Sequence, residues 1–277
     1  TTAGNTSVAS GAALELSGGI ALAAGEDITL VGTGISSGGA LRNISGNNSI
    51  AGLVTLSGTT RINSDSDTLT FDVSAGNAIT GTNTAVTFAG SGNITVNDPI
   101  GTGSGTLTKV GSGTLTLTAA NTYTGKTTIS NGTIVVSGSG TIGNGASALD
   151  IAGTGTLDLQ NTSTTGTLTI LAAGTGERIT NSSETTSQLT TSDASSLIGE
   201  ILTSGIDVIF NNTVTLTGNT VINSPNITFN SAVSGGTYNL DIGKSGEGAG
   251  NLTVNAEITN VGNLTVLGTT VIDEDIS

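Results

Sequence analysis

The sequence predicts an all-β protein, and within that class a parallel β-helix running as one continuous solenoid over residues 1–277. Three observations predict it. Aliphatic residues alternate with Thr, Ser, Asn and Asp in short runs, the period-two signature of half-buried strands. Turn sequences such as SGG, GSG, GNG and GTG separate these runs and supply positive φ at little steric cost. Whole phrases also recur. Val54–Ser64 reads VTLSGTTRINS, Val214–Ser224 reads VTLTGNTVINS, and Leu264–Asp273, LTVLGTTVID, is a looser third echo. Repetition of this kind marks units that cannot bury an apolar side alone and stack on their neighbours.

Taken in order, the strands justify the class. TLTFDV places Leu69, Phe71 and Val73 on one side and Thr68, Thr70 and Asp72 on the other. GTLTLTA sets Leu115 and Leu117 against Thr114, Thr116 and Thr118. ALDIAGTGTLDLQ turns Leu149, Ile151, Leu157 and Leu159 inward and Asp150 and Asp158 outward. β-Branched Thr on the wet side suits a pleated, half-exposed surface. The echoes extend: VTLSGTTRINSDSDTLTF (Val54–Phe71) matches VTLTGNTVINSPNITF (Val214–Phe229), and GNITVNDPI (Gly92–Ile100) matches GNLTVNAEI (Gly250–Ile258). Coils of roughly 20 residues would give about 13 turns, with Asn stacking at the corners. One region departs from the pattern. Residues 174–205 read as an irregular insertion, and SDASSLIGEIL within it as a short helix capped by Asp193, with Leu197, Ile198, Ile201 and Leu202 on one side.

Composition narrows the function. Of 277 residues 43 are Gly, which alone would suit disorder, but 35% are hydrophobic and regularly spaced. Only four Phe and two Tyr occur, and no Trp, so the expected interior is a narrow aliphatic channel with little room for rings. An antiparallel sandwich, the competing all-β architecture, normally uses larger core residues. Six scattered basic residues and a net charge of −14 argue against nucleic-acid partners and anionic membrane surfaces. No apolar run is long enough to span a bilayer. The absence of Cys rules out a disulfide framework without fixing a compartment.

One stretch carries a family likeness. In Gly105–Gly140, the segments GTLTL (Gly113–Leu117), NTYTG (Asn121–Gly125), TTI (Thr127–Ile129) and GTIVV (Gly132–Val136) follow one another. This stretch resembles the passenger-associated repeat of bacterial autotransporters. VTLTGNTVINSPNITF is similar in style to the strand repeats of filamentous-haemagglutinin-type exoproteins. Both resemblances imply a right-handed parallel β-helix on, or released from, the surface of a Gram-negative bacterium, most often for adhesion. The C-terminal barrel and N-terminal secretion module of such families are not recognisable, and the chain reads as a piece of something longer.

Chemistry offers little beyond this. With no His or Cys, Ser/His/Asp and Cys/His arrangements and His-based zinc sites are impossible. GKTT (Gly125–Thr128) lacks the upstream glycine of a phosphate loop. A polysaccharide-cleaving site would need converging carboxylates, for which Asp150 with Asp158, or Asp65, Asp67 and Asp72, are the candidates. Asn63, Asp65 and Asp67 in NSDSD offer alternate oxygens like the start of a calcium loop, a weak signal without the Gly and Glu that complete one. Eleven Asn-x-Ser/Thr triplets follow from composition and turn chemistry. The expectation is a non-enzymatic, cofactor-free stalk of a secreted or surface-displayed exoprotein, attaching to a glycan or protein of a host or neighbouring cell. The alternatives are a subunit that stacks end to end into filaments and, less favoured, a glycan-cleaving enzyme.

Overall fold

A computed structural model describes residues 4–170, 178–183, 187–202, 205–243 and 250–272. The fold is all-β, a solenoid of about 12 turns in which the strand pairings are parallel. It divides into two compact units, Thr1–Asn144 and Gly145–Ser277. Parallel pairing with turn-long connections excludes a sandwich of hairpins.

In the first unit each turn visits three columns of strands. The first column carries Thr6–Val8, Ile28–Gly32, the start of Val54–Ser64, Ile79–Gly81 and Ile100–Gly101. The second carries Leu14–Ser17, Leu41–Ser45, the end of Val54–Ser64, Val86–Ala89, Leu107–Lys109 and Thr127–Ile129. The third carries Ala21–Leu22, Asn48–Ile50, Thr68–Phe71, Asn93–Val96, Thr114–Leu117 and Thr133–Val136. Registers are in phase, so inward residues form ladders such as Ile50–Phe71–Val96–Leu117–Val136, all buried. Each such side chain contributes about 1.5–3 kcal/mol on burial.

The second unit repeats the scheme. Val214–Asn223 pairs with Ser195–Leu202 before it, and with Val233–Ser234 and Leu240–Ile242 after it. A further sheet stacks Ser163–Thr165, Ser187–Thr191, Ile206–Phe210, Asn226–Phe229, Asn251–Val254 and Thr270–Ile272.

The first two echoes occupy equivalent corners. Val54–Ser64 and Val214–Asn223 are single long strands that bend from one column into the next. Their inward positions are identical residue for residue: Val54 and Val214, Leu56 and Leu216, Thr60 and Thr220, Ile62 and Ile222, and Ser64 and Ser224, all buried. Even the polar bonds match. Thr60 Oγ1 donates to Gly58 O at 2.8 Å and Thr220 Oγ1 to Gly218 O at 3.0 Å. Ser57 Oγ and Thr217 Oγ1 each reach back one turn, to Leu30 O and Leu197 O, both at 3.3 Å. At the bend a Cβ on Gly58 would lie 3.0 Å from Val31 Cγ2, and one on Gly218 would lie 2.5 Å from Ile198 Cδ1. Val31 and Ile198 belong to a matching shorter phrase one turn earlier, TLVG and SLIG, whose Gly32 (φ 91°) and Gly199 (φ 82°) sit at register shifts. The third echo is out of phase. Leu264–Val266 pairs with Leu240–Ile242, which aligns with Thr220–Ile222 rather than with Val214.

Two expectations are corrected. SDASSLIGEIL is no helix: Ser195–Leu202 is a strand within the stack. Strand alternation itself puts Leu197 and Ile201, four residues apart, on the buried side, a spacing that one turn of helix shares. Around it, Ile179–Thr180 and Ser187–Thr191 are also paired strands, so these parts of 174–205 belong to the stack; 174–177, 184–186 and 203–204 lie outside the described residues. Among the described residues the only helical element is the 3₁₀ turn Ile35–Ser37. The interior also admits rings. Phe71, Phe88, Phe210, Phe229 and Tyr123 are all fully buried, and Phe210 stacks on Phe229 with centroids 5.2 Å apart.

Candidate functional site

Of the acidic candidates, Asp65, Asp67 and Asp158 hold inter-turn hydrogen bonds. The Arg42 side chain donates to Asp65 Oδ2 at 2.8 Å from Nε and to Glu15 at 3.1 Å from Nη1, tying neighbouring turns. Its hydrogen bond to Asp65, with the charge of that carboxylate, raises the Arg42 pKa. The other oxygen of Asp65 accepts the Asn63 amide at 2.5 Å. Asp67, at φ 57°, instead turns Oδ2 to the Gly46 N–H at 2.7 Å. The fold thus brings Asn63 and Asp65 together and engages Asp67 elsewhere. Among the described residues no group of three or more His, Cys, Asp or Glu could hold a metal ion.

Asp150 and Asp158, expected to face solvent, are each only 7% exposed. The next turn covers Asp158, which accepts the Ser182 N–H at 2.9 Å and the Ser182 hydroxyl at 2.5 Å. Asp72 remains exposed at the end of its strand. Thr127 and Thr128 of the GKTT sequence lie in a strand, not in a phosphate-cradling loop.

Two buried cations and a buried phenol were not legible as such. Lys109 takes an inward position in the ladder Phe88–Lys109–Ile129. Its Nζ donates to Val110 O at 3.0 Å and Gly111 O at 2.8 Å, carbonyls of a tight corner, while burial lowers its pKa to about 8. Arg178 Nη1 does the same for Gly153 O at 2.5 Å. Burial pushes Tyr123 up to about 12, and its hydroxyl lies 2.7 Å from Thr127 Oγ1.

The outward side of the third column in the first unit is a regular polar surface. The expected asparagine chemistry appears along its edge, but mostly as side-chain-to-backbone bonds. Asn47 Oδ1 accepts the Thr68 N–H at 3.1 Å and Asn93 Oδ1 the Thr114 N–H at 3.0 Å, each 21 residues on. Amide-to-amide stacking occurs in the second unit, where Asn255 donates to Asn230 at 2.7 Å and Asn230 to Asn211 at 2.8 Å. Asn93 and Asn251, which head Asn-x-Thr triplets at strand entries, are therefore inter-turn clamps. Between the clamps Thr70, Thr95 and Thr116 align in register, beside Thr68, Asn93 and Thr114. The sequence signal is the Thr-x-Thr spacing of TLTF and TLTL, with NITV between them.

Comparison with known proteins agrees with this architecture. Residues 107–136 match the passenger-associated-transport-repeat family, a span that runs from the strand Leu107–Lys109 to the strand Thr133–Val136. No curated protein and no solved structure gives a match to the chain. The repeat and the parallel solenoid together fit an autotransporter passenger-like repeat protein. That repeat family implies a secreted or surface-exposed protein.

Proposed function

We propose that this chain is a non-catalytic, adhesive segment of an exported passenger, a stiff β-solenoid that presents polar faces to a glycan or protein on another cell or matrix. The observation that carries the reading is the passenger-type repeat at 107–136, embedded in regularly stacked strands. Supporting it, many outward strand positions are Thr, Ser or Asn, the cations are few, and the carboxylates at Asp65, Asp67 and Asp158 are tied into inter-turn bonds. Such a surface suits many weak contacts that add through multivalency.

The test is attachment. Beads coated with the purified chain are expected to bind cultured cells or extracellular matrix well above beads coated with an inert protein. Equal attachment would reject the adhesive role. Electron microscopy of the same material addresses the competing architecture, since long fibres growing with concentration would favour end-to-end stacking. A reducing-end assay on acidic polysaccharides is expected to stay at background, and release of sugar ends would reinstate catalysis.

A further inference from the structure

We infer that the outward side of the third column in the first unit is a docking surface for the flat face of a neutral, hydroxyl-rich polysaccharide. The inference rests on the adhesive reading and names its partner class and its surface. Four observations carry it. The first is registry. Thr70 pairs with Thr95 and Thr95 with Thr116, while Thr68 pairs with Asn93 and Asn93 stands beside Thr114. Parallel stacking sets these groups about 4.8 Å apart between turns and about 6.6 Å apart along each strand. The result is a two-column lattice of short polar groups, where a lone strand would offer a single row.

The second observation is free valence. Among the described residues the hydroxyls of Thr68, Thr70, Thr95, Thr114 and Thr116 make no hydrogen bond within the protein. Each is partly exposed and able both to donate and to accept. Asn93 spends its carbonyl on the Thr114 N–H and presents its amide hydrogens outward from an exposed position.

The third is rigidity. The backbone of each strand is bonded on both sides, and β-branched Thr has few χ1 states, so docking would freeze little further motion. The fourth is charge. No Lys or Arg lies in these strands, and of the two acids that flank the Thr68 strand, Asp67 is turned to Gly46 while Asp72 stays exposed and adds negative charge to this side. A chain of net charge −14 with no cation on this side repels anionic glycans and gives them no counter-charge. A neutral partner with regularly spaced hydroxyls is the chemistry that this lattice matches.

The experiment is sedimentation of the purified chain with microcrystalline cellulose, with chitin, and with alginate beads as the anionic comparison. The chain is expected to pellet with cellulose or chitin and not with alginate. It should remain bound as salt is raised to about 1 M, because no ion pair is involved. A Thr95→Arg/Thr116→Arg variant is expected to lose about tenfold in affinity, since it removes neighbouring contacts of one multivalent surface. Thr95→Ser/Thr116→Ser, which keeps both hydroxyls, should retain binding. The control is Thr29→Arg/Thr55→Arg, an adjacent-turn pair in the first column, which should bind like the parent. Unchanged melting temperatures establish that each variant is folded. The inference is overturned if the parent pellets with neither neutral polysaccharide, if alginate competes equally, or if the first-column control loses as much as the third-column variant. Bead attachment to cells without pelleting on cellulose or chitin would remove the partner named here and leave the adhesive role standing.

Discussion

The corners at Val54–Ser64 and Val214–Asn223 are the same device with different outward decoration. Every inward residue is conserved between them, from Val54 and Val214 to Ser64 and Ser224. Several outward residues differ: Thr217 replaces Ser57, Asn219 replaces Thr59 and Val221 replaces Arg61, while Thr55 and Thr215 are the same. The comparison teaches that the repeated phrase encodes a bend and its packing, while the three positions that differ set surface chemistry. The glycine at each bend completes the device from one turn away, because Val31 or Ile198 lies against the missing Cβ.

The largest effects should come from inward residues. Ile62→Ala and Ile222→Ala are each expected to cost about 2–5 kcal/mol in denaturant unfolding, for lost burial and the cavity left behind. Similar costs at both sites would support equivalent corners. A loss at one corner and none at the other would break the equivalence.

A second effect sharpens what the first unit has and the echo does not encode. Tyr123 ionises at about 12 in the fold, against 10.0 for the free phenol. The folded state therefore holds this proton more tightly than the unfolded chain. The contribution is complete below pH 10 and is lost as pH rises towards 12, a difference on the order of 3 kcal/mol. Thermal unfolding of Tyr123→Phe is expected to lack this part of the alkaline decline, and an unchanged alkaline profile would contradict the buried placement.

Glycine substitutions come next. Gly218→Ala should destabilise by about 1–3 kcal/mol through overpacking against Ile198, and more than Gly58→Ala, where the approach is 3.0 Å rather than 2.5 Å. Ile198→Ala in the same chain should recover part of the loss, measured as a double-mutant cycle. The smallest effect is outward. Asp65→Asn breaks the partly exposed pair with Arg42 and should lower the unfolding midpoint only slightly, by less still in high salt.

How much of this was legible follows from the same inward–outward division. Period-two runs such as TLTF and GTLTL located strands, because alternation survives wherever a strand is regular. The SLIG phrase misled, because Leu197 and Ile201, four residues apart, share a side in a strand as they would in a helix, and Ile198 beside Leu197 hid the alternation. The third echo misled because similar letters at Leu264–Asp273 enter the stack in a different column. Asp150 and Asp158 read as outward, and the sequence gives no sign of the turn that covers Asp158. Lys109 could not be read as buried, since its corner of acceptor carbonyls exists only once the turns are stacked. The Thr-x-Thr surface was visible as letters, but its registry and unpaired hydroxyls depend on neighbours roughly 20 residues away.

The most direct test of turn-on-turn stacking uses the natural absence of cysteine. Neighbouring parallel strands hold paired Cα atoms about 4.8 Å apart, within the span a disulfide can bridge. Under mild oxidation Thr70→Cys/Thr95→Cys and Thr95→Cys/Thr116→Cys are predicted to cross-link readily within one chain. Thr70→Cys/Thr116→Cys, two turns apart, is predicted to stay reduced. Failure of both adjacent pairs to cross-link, or equal cross-linking of the two-turn pair, would contradict the stacking on which the account depends.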